Sequence, residues 1–147
     1  MLRVVFDTNL FVSSALIQEG LPAQALDAWR DHQFLLFTSP AIMAEIASTL
    51  RYDRIRRKYG ITEEDIEALL ALLVTDAEVV PGQAEVAGSI PEDPDDEVVL
   101  ACALDGQADV IVSGDKHLLS LNQYRSIPIL TVRQFLNRLT ESSERLE

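Results

Sequence analysis

The chain is poor in cysteine, in histidine and in positive charge. Cys102 is its one cysteine, so no disulfide can form within it, and nothing points to an oxidising compartment. The two histidines, His32 and His117, have no partners at metal-ligand spacing, which removes the usual Cys/His routes to zinc. No apolar run approaches the ~20 residues that a membrane span needs. Lys and Arg number 12 against 24 Asp and Glu, a net charge of −12. So acidic a surface does not attract nucleic acid non-specifically, because polyanion binding usually needs a basic footprint. The first residues enter a strand-like stretch, Leu2–Phe6, without a signal-peptide pattern. The expectation is a soluble, cytoplasmic protein with no membrane association.

What is present suits one folded domain. At 147 residues, 48% of them apolar, the chain can bury a sizeable core without metal or disulfide staples. Residues 1–140 form the expected domain, and 141–147 a polar, frayed C-terminal tail. The charge is uneven. Arg51, Arg54, Arg56, Arg57 and Lys58 are opposed locally only by Asp53, which leaves a stretch of +4 in a remainder of −16.

Strand-like and helix-like segments alternate, the pattern of an α/β fold with a mostly parallel sheet. Strands are expected at Arg3–Phe6, Phe34–Phe37, Glu78–Val80, Val110–Val112 and Ile129–Leu130. Helices are expected near Asn9–Ile17 and Pro22–Asp31, then from Pro40, capped by Ser39 and buried through Ile42, Ile46 and Leu50. Thr62 and Asp65 resemble a capping box ahead of the stripe Ile66, Leu69, Leu70, Leu73. Asp93-Pro94 opens a helix, Pro94–Leu104, that is apolar almost all round and holds Cys102 as a core residue. Thr131 and Gln134 cap a last helix through Leu139.

In an open parallel sheet, ligands bind beyond the carboxyl ends of the strands. Asp7 follows the first strand and Asp115 the fourth, and these two strands are plausible neighbours. Asp93, Asp95, Asp96 and Glu97 open the helix whose start faces the same edge, and Glu45 stands alone among apolar neighbours in Ala41–Ala47. Each acid has a plain structural alternative. Asp7 and Asp115 can cap the helices after them, Asp93 can be an N-cap with Asp96 as its partner three residues on, and Glu45 can reach solvent from the stripe's margin. Taken together, the acids favour another reading. Carboxylates gathered at one sheet edge repel, and some must stay protonated unless a cation joins them. A hard divalent ion with oxygen ligands, Mg²⁺ above all, removes that conflict.

These residues make the chain similar to PIN-domain ribonucleases over about Arg3 to Leu139. The motifs, in order, are Val4-Val5-Phe6-Asp7-Thr8-Asn9, Ser39-Pro40 through Glu45-Ile46, Asp93-Pro94-Asp95-Asp96-Glu97 through Leu100-Ala101, and Val112-Ser113-Gly114-Asp115-Lys116-His117-Leu118-Leu119. The last two resemble the branch whose members are toxins of toxin–antitoxin pairs (VapC-like). The resemblance implies a three-layer α/β/α sandwich around a five-stranded, mostly parallel sheet. It further implies Mg²⁺- or Mn²⁺-dependent endonucleolytic hydrolysis of RNA, often by a homodimer, and a cognate antitoxin as partner.

By position, Asp7, Glu45, Asp96 and Asp115 match the family's acidic quartet, with Asp7 and Asp96 as metal ligands. Glu45 and Asp115 would orient water or complete a second metal site. Asp93, Glu97, Asn9 and Ser113 are further metal or supporting residues, and Glu97 can stand in for Asp96. Arg51, Arg54, Arg56, Arg57 and Lys58 are candidate contacts to RNA or to an antitoxin, against the alternative of a solvated helix end. Two other classes of α/β protein fit less well. A phospho-receiver needs an acid pair after strand one and an acceptor after strand three, where Pro81-Gly82 follows instead. A haloacid-dehalogenase-type phosphatase needs Asp-x-Asp after strand one, where Asn9 takes the second place. A PIN-like nuclease of RNA processing or decay without an antitoxin, and a catalytically silent binding module, stay as alternatives.

Overall fold

The computed structural model describes residues 1–86 and 96–146, with side chains as far as residue 141. Strand β1 (Arg3–Phe6) leads through helices α1 (Thr8–Leu16) and α2 (Leu21–Arg30) to β2 (Leu35–Thr38). Then come α3 (Pro40–Leu50), α4 (Asp53–Tyr59), α5 (Glu63–Asp76) and β3 (Glu78–Val79). The remainder is α6 (Glu97–Asp105), β4 (Val110–Val112), α7 (Lys116–Ser120), β5 (Gln123–Tyr124), β6 (Ile127–Leu130) and α8 (Val132–Leu146). The sheet runs β3-β2-β1-β4-β6-β5, parallel except at the β5–β6 edge. A six-stranded sheet replaces the expected five, because β5 pairs antiparallel with β6 as a short hairpin.

Strand order also bears on the rivals. The chain winds from β1 through β2 to β3 on one side, then returns to lay β4 against the other side of β1. Receiver-type sheets instead run 2-1-3-4-5. The reversal at β1 opens a crevice beyond the carboxyl ends of β1 and β4, which pair from Val4–Val110 to Phe6–Val112.

Burial fixes this frame. Val4, Val5, Phe6, Val110, Ile111 and Val112 are fully buried, as strands covered on both faces must be. Phe6, Phe11, Phe34 and Phe135 stack in tilted and edge-on pairs with centroids 5.0–5.9 Å apart, tying α1 and α8 to the same side of the sheet. On α6, Val99 through Ala103 are buried consecutively, as its all-round apolar sequence requires. Cys102 is within that run, and burial pushes its thiol pKa up to about 12, so it acts as core and not as a nucleophile.

The expected caps at Ser39 and Thr62 form. Ser39 accepts from the Ile42 amide, and Thr62 and Asp65 exchange both bonds of a capping box. The terminal helix runs past the expected Leu139 to Leu146. The basic stretch is divided: Arg51 closes α3, while Arg54, Arg56, Arg57 and Lys58 form a separate helix, α4, closed at Gly60 with φ +65°. Helix α6 is described from Glu97; the expected start at Asp93-Pro94, with Asp95, lies outside the described residues.

Candidate active site

Asp7 is the last residue before α1 and Asp96 the last before α6. Both occupy the N-cap position, and neither side chain makes a capping hydrogen bond. Each is nonetheless buried, Asp7 to 2% exposure and Asp96 to 7%. Capping therefore does not account for these two carboxylates. Asp115 differs: it caps α7, with its Oδ1 accepting from the amides of His117 at 2.8 Å and Leu118 at 3.2 Å.

The four acids of the sequence reading meet. Asp7, Glu45, Asp96 and Asp115 line one cavity of about 290 Å³, together with Thr8, Asn9, Ser48 and Thr49. Glu97, one residue after Asp96, does not line it. Asp93 lies outside the described residues. Ser113, fully buried, stands beneath the cavity as a clamp: its hydroxyl donates to Asp7 Oδ2 at 2.7 Å and accepts from the Asp115 amide at 2.9 Å. Sheet pairing sets that contact, because the Asp7 amide continues the β1–β4 ladder by donating to the Val112 carbonyl at 2.9 Å.

Thr8, Ser48 and Thr49 were not among the sequence candidates. Thr8 donates to Glu45 Oε2 at 2.9 Å and so orients the acid on α3. Ser48 and Thr49 lie three and four residues after Glu45, on the same face of the helix. That spacing was the available signal.

The acids at this edge bear on one another's ionisation. Burial raises the Asp7 pKa, and nearby Asp115 raises it further, against the Ser113 hydroxyl bond and the weaker pull of the nearby Asn9 and Thr8 amides, which stop short of a capping hydrogen bond. Burial also works against ionised Asp115. A hydrogen bond from the Asp96 carboxyl and the amides of Leu118 and His117 outweigh it, and hold Asp115 below the usual carboxylate range. Carboxylates brought this close repel when ionised, and a divalent cation would relieve that repulsion.

The donors around the cavity are all oxygen, the set that Mg²⁺ and Mn²⁺ prefer. Among the described residues, no three His, Cys, Asp or Glu side chains are arranged to chelate an ion by themselves.

Of the basic stretch, Arg51 is engaged: its guanidinium bonds bidentately to Glu63 at 2.5 and 3.0 Å, tying the end of α3 to the start of α5. Arg54, Arg57 and Lys58 are exposed, and Arg56 is half-buried. Arg51 and Arg54 border a groove of about 880 Å³ that is lined also by Ser48, the same Ser48 that lines the acidic cavity. Positive charge therefore begins where the acid cluster stops.

Residues 3–117 match the family model described as PIN domain. The chain is 29% identical, over 129 residues, to Uncharacterized protein MJ1680 of Methanocaldococcus jannaschii, covering 86% of this chain and 81% of that one. Its fold is similar to VapBC2 from Rickettsia felis bound to a promoter DNA fragment, with TM-score 0.60, 11% identity and coverage of 88% of this chain and 98% of the other. It is similar also to Mycobacterium tuberculosis VapC20, described as a Sarcin-Ricin loop cleaving toxin, with TM-score 0.58, 14% identity and coverage of 85% and 98%. At such identities the likeness to these structures is one of fold.

Proposed function

The chain belongs to the PIN-domain family, and from that premise we propose that it is a Mg²⁺- or Mn²⁺-dependent endoribonuclease whose active site is the four-acid cavity. The observation that carries this reading is the pair Asp7 and Asp96: two buried carboxylates at helix starts, neither used for capping, facing one cavity with Glu45 and Asp115.

Asp7 and Asp96 hold the ion in this reading. When bound, the metal supplies a nucleophilic water at neutral pH and neutralises charge on the phosphate and the leaving oxygen. The protein's own groups do the rest. Ser113 fixes the Asp7 carboxylate through one oxygen. Glu45, oriented by Thr8, accepts the proton of the attacking water. Asp115 is pinned by its cap bonds and borders the same space, where it positions that water against the phosphorus. Arg54, Arg56, Arg57 and Lys58 supply the positive approach that the acidic remainder of the surface lacks. A bound cation reverses the local sign, so a phosphate can enter a cluster of acids.

The reading extends to a toxin's role, with a cognate antitoxin that covers the cavity and its basic margin. The ordered motifs and the fold shared with VapC proteins support it. The same reading has the protein act in the cytoplasm as a homodimer. Among the described residues no helix is long and apolar enough to cross a membrane. A short reading frame for a DNA-binding protein immediately upstream, whose product binds this chain and stops cleavage, is the expected genetic companion. Its absence would leave a nuclease of RNA processing or decay.

The nuclease reading is tested by incubating the purified chain with single-stranded RNA in millimolar Mn²⁺ or Mg²⁺, and in EDTA. Discrete internal cleavage with metal and none in EDTA is expected. Intact RNA under both conditions would leave the acidic binding module as the better account.

A further inference from the structure

A second cavity, of about 450 Å³, adjoins the acidic one and shares Asn9 and Asp115 with it. Its walls come from four places in the fold. Leu10 and Ser13 belong to α1, Pro22 to α2, Gly114 to the turn after β4 that leads to Lys116 at the start of α7, and Val132 to the start of α8. The chemistry is mixed in a particular way. Leu10, Pro22 and Val132 offer apolar surface, Asn9 and Ser13 offer hydrogen-bonding groups, and Lys116, next in sequence to Asp115, is an exposed cation. The volume falls in the range of small-molecule sites, about 300–1,000 Å³.

We propose that this cavity is a nucleotide subsite, which takes the base and phosphate of the residue next to the scissile bond. The proposal rests on the nuclease reading and adds the substrate's path to it. A base needs an apolar wall for its face and a few polar groups for its edge, and a phosphate needs a cation. All three are present, and Asn9 and Asp115 make the cavity continuous with the site of cleavage. Through a different residue, Ser48, the acidic cavity also shares its lining with the groove of Arg51 and Arg54. The acidic cavity thus adjoins two cation-bearing cavities. A single strand with splayed bases can follow such a trench, while a duplex, whose bases stay stacked and paired, cannot enter a pocket of one-nucleotide size.

Gly114 provides the sharpest probe. A Cβ built there meets nothing within 4 Å, so a larger side chain projects into open space and not into the core. Gly114→Leu should fold and obstruct the subsite, and Lys116→Ala should remove the phosphate contact without obstruction. Two measurements on the full chain decide the matter. In amide NMR titrations with the four nucleoside 5′-monophosphates, at least one should shift Ser13, Lys116 and Val132 at millimolar concentration. Inorganic phosphate should shift Lys116 alone. In cleavage of a single-stranded RNA dodecamer with Mn²⁺, Lys116→Ala should raise KM about tenfold, about 1.4 kcal/mol of binding, with kcat within about twofold. Gly114→Leu should abolish the mononucleotide shifts and raise KM at least as much. Unmoved Ser13 and Val132 signals, or wild-type KM in both variants, would overturn the subsite while leaving the nuclease standing. A wild-type chain that does not cleave would remove the nuclease reading, and the mononucleotide titration would still decide the subsite.

Discussion

Ser113 Oγ joins Asp7 and Asp115: it donates to the Asp7 carboxylate at 2.7 Å and accepts from the Asp115 amide at 2.9 Å. One buried hydroxyl thereby registers two acids that lie 108 positions apart in sequence, at the ends of the paired strands β1 and β4. Ser113→Ala should cost about 1–3 kcal/mol in urea denaturation, because a buried carboxylate and a part-buried amide each lose a partner. Metal affinity should weaken as Asp7 loses its fixed orientation. Ser113→Thr should retain most of both, and an alanine variant with unchanged stability and affinity would show the clamp to be idle.

The apo protein should be more stable without Asp7's charge. Burial raises the Asp7 pKa in the folded state, so its ionised form is a cost to folding. That cost is absent below the ordinary aspartate pKa and grows as pH rises through the raised folded value, so stability falls across that window. Asp115 has the opposite sign: its pKa is lowered, and the stability it contributes is lost as pH falls through its folded value. Asp7→Asn should therefore melt above wild type at neutral pH in EDTA, with the difference shrinking toward acid. Wild type should regain the difference with Mn²⁺, since an ion at 100 times its Kd stabilises by about 2.7 kcal/mol. Scanning calorimetry with and without Mn²⁺ reads both effects, and an Asp7→Asn protein that melts lower in EDTA would contradict the first.

Asp96 and Glu97 can be separated by isosteric changes. Asp96 lines the cavity without capping its helix, whereas Glu97 is outside the cavity's lining. Asp96→Asn should fold normally and slow cleavage by orders of magnitude, through loss of a metal ligand. Glu97→Gln should leave the rate within a few-fold. The reverse pattern would put the third acid one residue later.

The basic helix makes a salt prediction. Replacing Arg54, Arg56 and Arg57 together by Ala should weaken RNA binding and lower the slope of log K against log salt, as each lost phosphate contact removes a released counterion. Arg51 is left out because it is committed to Glu63. An unchanged slope would make α4 a solvated helix.

Much of this architecture was legible because burial leaves a strong sequence pattern. The Val4–Phe6 run of β1, the fully apolar β4, the proline-started α3 and the Thr62–Asp65 box each read correctly from a few residues. The β5–β6 hairpin did not, and its turn explains why. Arg125 and Ser126 take φ of +47° and +72°, left-handed values usually signalled by Gly, Asn or Asp. Neither residue gives that signal, and two-residue β5 offers no alternation to detect. At the site, the sequence placed four acids at one sheet edge but could not say which of them capped helices. That depends on where each carboxylate turns: Asp115 back to its own helix, Asp7 across to Ser113. Thr8 was hidden for a related reason, since its partner Glu45 is 37 residues away on another helix.

The central claim is that buried carboxylates at this sheet edge hold a divalent ion that cleaves RNA. The most direct measurement is the initial rate of single-stranded RNA cleavage against Mn²⁺ concentration, for wild type and Asp7→Asn purified side by side. Wild type should show a saturating rise from zero in EDTA. Asp7→Asn, folded and at least as stable without metal, should stay lower by at least about a hundredfold at every Mn²⁺ concentration, the loss expected when a metal-held nucleophile is removed. Equal rates in the two proteins, or cleavage that persists in EDTA, would contradict the account.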